Sequence, residues 1–100
     1  MTAGSFLQLD IDWQDDVRYR WRLSRPSGRD IEQGVEAYIA DCLKAAANTV
    51  DTSDEISVSV HGICGGRYGA IRMQIASIDV AVEVAREVLS QQGKTFTSEH

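Results

Sequence analysis

Polar and apolar residues alternate strictly over residues 6–13. Leu7, Leu9, Ile11 and Trp13 fall on one side, and Gln8, Asp10 and Asp12 on the other. A period of two is the mark of a half-buried strand. Residues 17–23 repeat it, with Val17, Tyr19, Trp21 and Leu23 inward and Arg18, Arg20 and Arg22 outward. Between them Gln14-Asp15-Asp16 makes a turn of hairpin length. With Trp13 set opposite Val17, Asp12 meets Arg18, Asp10 meets Arg20 and Gln8 meets Arg22. Each cross-strand pair of opposite charges contributes ~0.2–1 kcal/mol.

The period changes after a loop, Ser24 to Arg29, punctuated by Pro26 and Gly28. Ile31, Val35, Tyr38, Ile39, Cys42, Leu43, Ala46 and Val50 recur at steps of three and four. This predicts an amphipathic helix over about 31–49, with Asp30 as N-cap and Gln33 completing a capping box. Gly34 costs such a helix ~1 kcal/mol relative to Ala. Asn48 to Glu55 is an acidic, polar linker. Ile56, Val58 and Val60 then alternate with Ser57, Ser59 and His61 as a third strand, and residues 62–69 form a glycine-rich connection. Ile71, Met73 and Ile75 alternate with Arg72 and Gln74 as a fourth strand. Ser77 caps a second helix with Asp79 in its first turn. That helix ends at about Gln92, before a polar, frayed tail over 93–100.

The expected fold is therefore α+β, a two-layer sandwich in the order ββαββα. A four-stranded, mainly antiparallel sheet carries two helices on one face. One domain spans residues 1–100, with units at 6–50 and 56–92. The shared rhythm of Tyr19–Leu23 and Ile71–Ile75 suggests an internal pseudo-repeat.

Arg20-Trp21-Arg22-Leu23, Gly28, Ile31 and Glu36-x-Tyr38 form a further pattern. Through them residues 19–46 resemble the YegP-like family of small uncharacterised bacterial proteins. The resemblance implies strand, turn, short third strand and helix, so that residues 30–36 are a strand rather than the start of a helix. Ile39-Ala40 stands where that family has a polar helix cap. No known reaction is implied, and the second half lies outside the resemblance.

Apolar residues make up 43% of the chain and charged ones 25%, which excludes a disordered polyelectrolyte. The net charge of −5 opposes general affinity for nucleic acid or an anionic membrane. The signs are uneven, however. Arg18, Arg20, Arg22, Arg25 and Arg29 fall in one acid-free stretch and form a candidate nucleic-acid surface. The two cysteines, Cys42 and Cys64, are too few for a secreted disulfide scaffold. No signal-peptide pattern or membrane-length apolar run is present, so the expected location is the cytoplasm of a bacterium or its phage.

Candidate chemistry centres on Gly62-Ile63-Cys64-Gly65-Gly66. A thiolate there is a possible nucleophile with His61 as base, provided its surroundings lower the thiol pKa. His61-x-x-Cys64 is half of a metal-ligand spacing, which neither Cys42 nor His100 completes, so no metal is expected. The Gly-Gly-Arg-Tyr-Gly segment lacks the Walker lysine, and no cofactor is expected. The second helix is apolar around most of its axis, a pattern of burial on more than one side. The expected function is a non-enzymatic protein–protein interaction module of the chaperone, immunity, antitoxin or phage-inhibitor type. Its contacts would come from an interface helix carrying Val80, Val82, Val84 and Val88, with a possible homodimer there, and from a loop carrying Cys64, Arg67 and Tyr68. The alternatives are nucleic-acid binding through the arginines and, more weakly, Cys64-dependent catalysis.

Overall fold

The computed structural model describes residues 6–97, with side chains to residue 92. The α+β class is as expected. The strand count, helix count and order are not. Five strands and three helices follow one another as β1 (Leu7–Trp13), β2 (Tyr19–Ser24), β3 (Asp30–Glu36), α1 (Ile39–Ala47), β4 (Glu55–Val60), β5 (Ile63–Gly69), α2 (Ala70–Ile75) and α3 (Ser77–Thr97). The sheet order is β3-β2-β1-β4-β5. β1 and β4 are parallel neighbours at its centre, and every other pairing is antiparallel.

The β1–β2 hairpin keeps the expected faces but slides by two residues. Trp13 pairs with Tyr19, Asp12 with Arg20, Asp10 with Arg22 and Gln8 with Ser24. An even slip preserves which side chains are inward, whereas an odd one would invert them all. Asp15 causes the longer turn. Its carboxylate accepts hydrogen bonds from the backbone N–H of Val17 and of Arg18, both at 3.0 Å. It also accepts the Arg18 guanidinium at 2.7 Å. Val17 and Arg18 thus belong to the turn, and Val17 is exposed rather than inward.

Residues 30–36 form an edge strand, as the family resemblance implied and against the helical periodicity. The reason for Gly34 is packing. It lies opposite Trp21, and a Cβ there would stand 2.7 Å from the indole Nε1. The buried Trp21 ring therefore lies over the glycine, and its Nε1 has no hydrogen-bond partner. Ile31 is skipped in the β2–β3 pairing, a bulge that turns it toward the core. The helix starts only at Ile39, without a side-chain cap from Asp30 or any other residue.

The glycine-rich segment is also a strand. His61 and Gly62 alone make the turn, both at positive φ (52° and 78°), as a two-residue type I′ hairpin requires. The β4–β5 pairing skips Gly65, a second bulge. Gly65 is where α3 seats: a Cβ there would lie 2.8 Å from Val84 Cγ1. Residues 71–75 belong to a helix, not a strand. Ala70 and Met73, one turn apart, are buried, while Ile71 and Ile75 face outward. This removes the pseudo-repeat, because Tyr19–Leu23 is a strand. Gln74 on α2 donates to the carbonyl of Ala47 at 2.8 Å and so closes the end of α1. α3 continues through Gly93 to Thr97, beyond its expected end. Residues 98–100, the rest of the expected tail, lie outside the described residues.

All three helices cover one face of the sheet. The core joins Leu9 and Ile11 of β1, Trp21 and Leu23 of β2, Ile56 and Val58 of β4, Cys42 and Leu43 of α1, Met73 of α2, and Val80 and Val84 of α3. Among the described residues no helix is long and apolar enough to cross a membrane.

Candidate functional site

The residues singled out by sequence do not gather in one place. Cys64, Arg67 and Tyr68 lie along β5 rather than in a loop. Cys64 and Arg67 pair with Ser59 and Ser57 and share their solvent face, whereas Tyr68 pairs with the buried Ile56 on the helix face. The Tyr68 hydroxyl donates to the carbonyl of Gly65 at 2.7 Å. Burial, with Glu83 and Glu87 nearby, pushes its phenol pKa up. Cys64 is exposed. His61 turns instead toward β1, with its ring stacked on Trp13 at 5.4 Å and Nδ1 3.8 Å from the Asp12 carboxylate. Cys42 is fully buried, and burial, followed by the charges of Glu36 and Asp41, pushes its thiol up to about 12. No cluster of three or more His, Cys, Asp or Glu suited to a metal occurs among the described residues. His100 lies outside them.

The arginines are dispersed as well. Arg18 is bound to Asp15 in the hairpin turn. On the open face of the sheet Arg20 lies opposite Asp12 and Arg22 opposite Asp10, with Asp30 3.8 Å from Arg22. Arg25 and Arg29 sit in the β2–β3 turn, joined through their backbones. Farther along the same face Arg67 lies 3.9 Å from Glu55 and 4.2 Å above the Phe6 ring. This face is a lattice of mixed charge rather than a basic stripe.

On α3 the expected interface valines divide. Val80 and Val84 are 0% exposed, packed in the core toward β5, and Val88 is partly buried against it. Val82 points away, 47% exposed. A helix of period 3.6 must split residues 80, 82 and 84 in this way, since steps of two place side chains 200° apart. The free side of α3 carries Ile78, Val82 and Leu89.

That free side opens onto a mainly apolar groove of about 570 Å³. The β1–β2 turn, the β3–α1 junction and the first turns of α3 enclose it. Trp13, Val17 and Tyr19 line one wall, Tyr38 and Ala40 another, and Ile78, Val82 and Ala85 the third. Val17 and Ile78 are 72% exposed and Tyr38 69%, high values for large apolar groups. Trp13 does not move freely. Its ring stacks on Tyr19 at 4.5 Å and 23°, and on its other flank against His61. Such offset aromatic pairs contribute ~0.5–1.5 kcal/mol beyond area burial. Sequence periodicity assigned Trp13, Val17 and Tyr38 to the core. The signal missed was that Trp13 is the last residue of β1, Val17 lies in the turn and Tyr38 precedes α1, which leaves their inward-type side chains at the margin of the covered layer.

Comparison with family models, curated proteins and solved structures finds no match for this chain. The likeness of residues 19–46 to the YegP-like family accordingly carries no argument about function.

Proposed function

We propose that this protein is a non-enzymatic protein-interaction module whose working surface is the apolar groove between the β1–β2 turn, the β3–α1 junction and α3. The observation that carries this reading is the convergence of Trp13, Val17, Tyr38, Ile78 and Val82, all exposed, from three separate parts of the chain. Scattered exposed apolar residues are ordinary, but contiguous ones around a concavity mark an interaction surface. Trp and Tyr are the residue types that dominate binding energy at interfaces, because they bring large rigid area at low entropic cost. The wide arc of α3 supports the same surface through its free side. A non-catalytic role is supported by the dispersal of the reactive groups, with Cys64 on the solvent face of β5 and His61 engaged at Trp13.

Site-specific photo-crosslinking tests this proposal. A crosslinking residue at Val82 should capture a discrete protein partner in the native host, and Tyr38→Ser should abolish that capture. The same group placed at Arg22, on the open sheet face, should capture none. Equal capture from positions 82 and 22, or none from 82, would remove the groove as the working surface.

A further inference from the structure

Resting on the reading of the groove as a protein-binding surface, we infer that its occupant is a cationic amphipathic segment of another protein, carrying Lys or Arg beside its apolar side chains. The inference comes from charge. The sole ionisable carboxylate or ammonium group among the groove's lining residues is the Asp16 carboxylate. The acidic residues Glu36, Asp41 and Asp79 immediately adjoin its lining residues Ala37, Ala40 and Ile78 in the chain. Asp41 and Asp79 stand in the first turns of α1 and α3. Among the described residues no Lys or Arg lines the groove. Arg18, which adjoins Val17, has its guanidinium committed to Asp15, Arg20, which adjoins Tyr19, lies opposite Asp12 on the open sheet face, and Arg86, which adjoins Ala85, is outnumbered by these acids.

Complementary potential selects partners and suppresses wrong ones, since like charges brought together cost affinity. A second copy of this chain would set one acidic rim against another, both on molecules of net charge −5. An anionic membrane is opposed by the same field. A segment with apolar side chains for Trp13, Tyr38 and Val82, and a cation for Asp16, satisfies both features of the groove. The aromatic face of Tyr38 adds attraction for a Lys or Arg head group lying over it.

The test uses the full chain and two synthetic amphipathic peptides of equal length, one Leu/Lys and one Leu/Glu, followed by calorimetry and by tryptophan emission, in which the exposed Trp13 responds and the buried Trp21 gives a constant background. The Leu/Lys peptide should bind about tenfold or more tightly than the Leu/Glu peptide at low salt, with the advantage shrinking as salt is added. Asp16→Asn should weaken it about threefold. Glu55→Gln removes the same charge from the opposite face of the sheet and should leave binding unchanged. Val82→Ser should weaken both peptides. Equal binding of the two peptides, lost together in Val82→Ser, overturns the charge inference and leaves the groove as a binding surface. Light scattering that shows a dimer abolished by Val82→Ser overturns it in favour of a second copy. Equal loss in Asp16→Asn and Glu55→Gln overturns it as attraction to net charge alone. No Val82-sensitive binding of either peptide overturns this inference and the reading beneath it together.

Discussion

Gly65 shows how a single absent side chain sets the position of a layer. Gly65 has ordinary backbone conformation, so its requirement is steric: Val84 occupies the place of its Cβ at 2.8 Å. Gly65→Ala should destabilise the fold by ~1–3 kcal/mol through overpacking. Val84→Ala removes the obstacle, and the double variant should lose less than the two single variants summed, as read by chemical denaturation. Gly69 is the control. It has extended backbone and nothing within 4 Å of a Cβ, and it is the N-cap of α2. In Gly69→Ala the unfolded-state entropy gain and the loss of a preferred cap residue oppose each other, so the change should stay within ~1 kcal/mol of wild type. Cys42 supplies a pH signature at the same scale. Its thiol is raised from an ordinary value near 9 to about 12, because the buried site disfavours the thiolate. The neutral form is favoured in the folded state, so this contribution is fully present below pH 9 and lost as pH rises from 9 toward 12. Stability should fall across that window less steeply in Cys42→Ala, after allowance for the cavity, and native-state alkylation at neutral pH should modify Cys64 alone.

At the scale of elements, the chain was legible where one side-chain period ran undisturbed. β1, β2 and β4 alternate through their whole length and were readable, as was the apolar repeat of α3. Residues 30–36 were not, because Ile31 and Val35 sit four apart and mimic a helical step. In the strand that spacing arises from the bulge at Ile31 and from Gly34 making room for Trp21. Residues 63–69 hid because glycines carry no pattern, although His61-Gly62 between Val60 and Ile63 has the form of a type I′ turn. Ala70–Ile75 hid because the alternation of Ile71, Met73 and Ile75 matches a strand, whereas the pair that the helix buries is Ala70 and Met73, one turn apart. The β1–β2 turn offers a direct check on the register. The Arg18 contact and the N–H of Val17 hold the Asp15 carboxyl below its ordinary value of 3.8. A lowered value stabilises the fold above pH 3.8 and ceases to do so as pH falls through the lowered value. The stability difference between the wild type and Asp15→Ala should therefore be full at pH 7 and shrink progressively below pH 3.8. A turn with Trp13 opposite Val17 would give no such dependence.

In the whole molecule, α1 covers β1, β2 and β3 while α3 covers β5, and the groove is the gap where these two coverings diverge. Such a gap is not visible in any one stretch of sequence. Trp13, Tyr38 and Ile78 have the side chains of core residues, and only the meeting of a hairpin turn, a strand–helix junction and a helix start leaves them uncovered. Their retention on the surface has a consequence for stability that separates them from the true core. Val84 is fully enclosed, so Val84→Ala should cost ~2 kcal/mol from lost methyl burial and the cavity left behind. Val82→Ser, two residues on the opposite side of the same helix, should lie within about 0.5 kcal/mol of wild type. The combined variant Tyr38→Ser, Ile78→Ser and Val82→Ser should keep its thermal midpoint within a few degrees of wild type. It should also bind less of a hydrophobic dye such as ANS and stay soluble to higher concentration, because the exposed apolar surface is gone. A large fall in midpoint would instead make these side chains part of the folding core, and the groove a product of packing rather than a surface kept open for a partner.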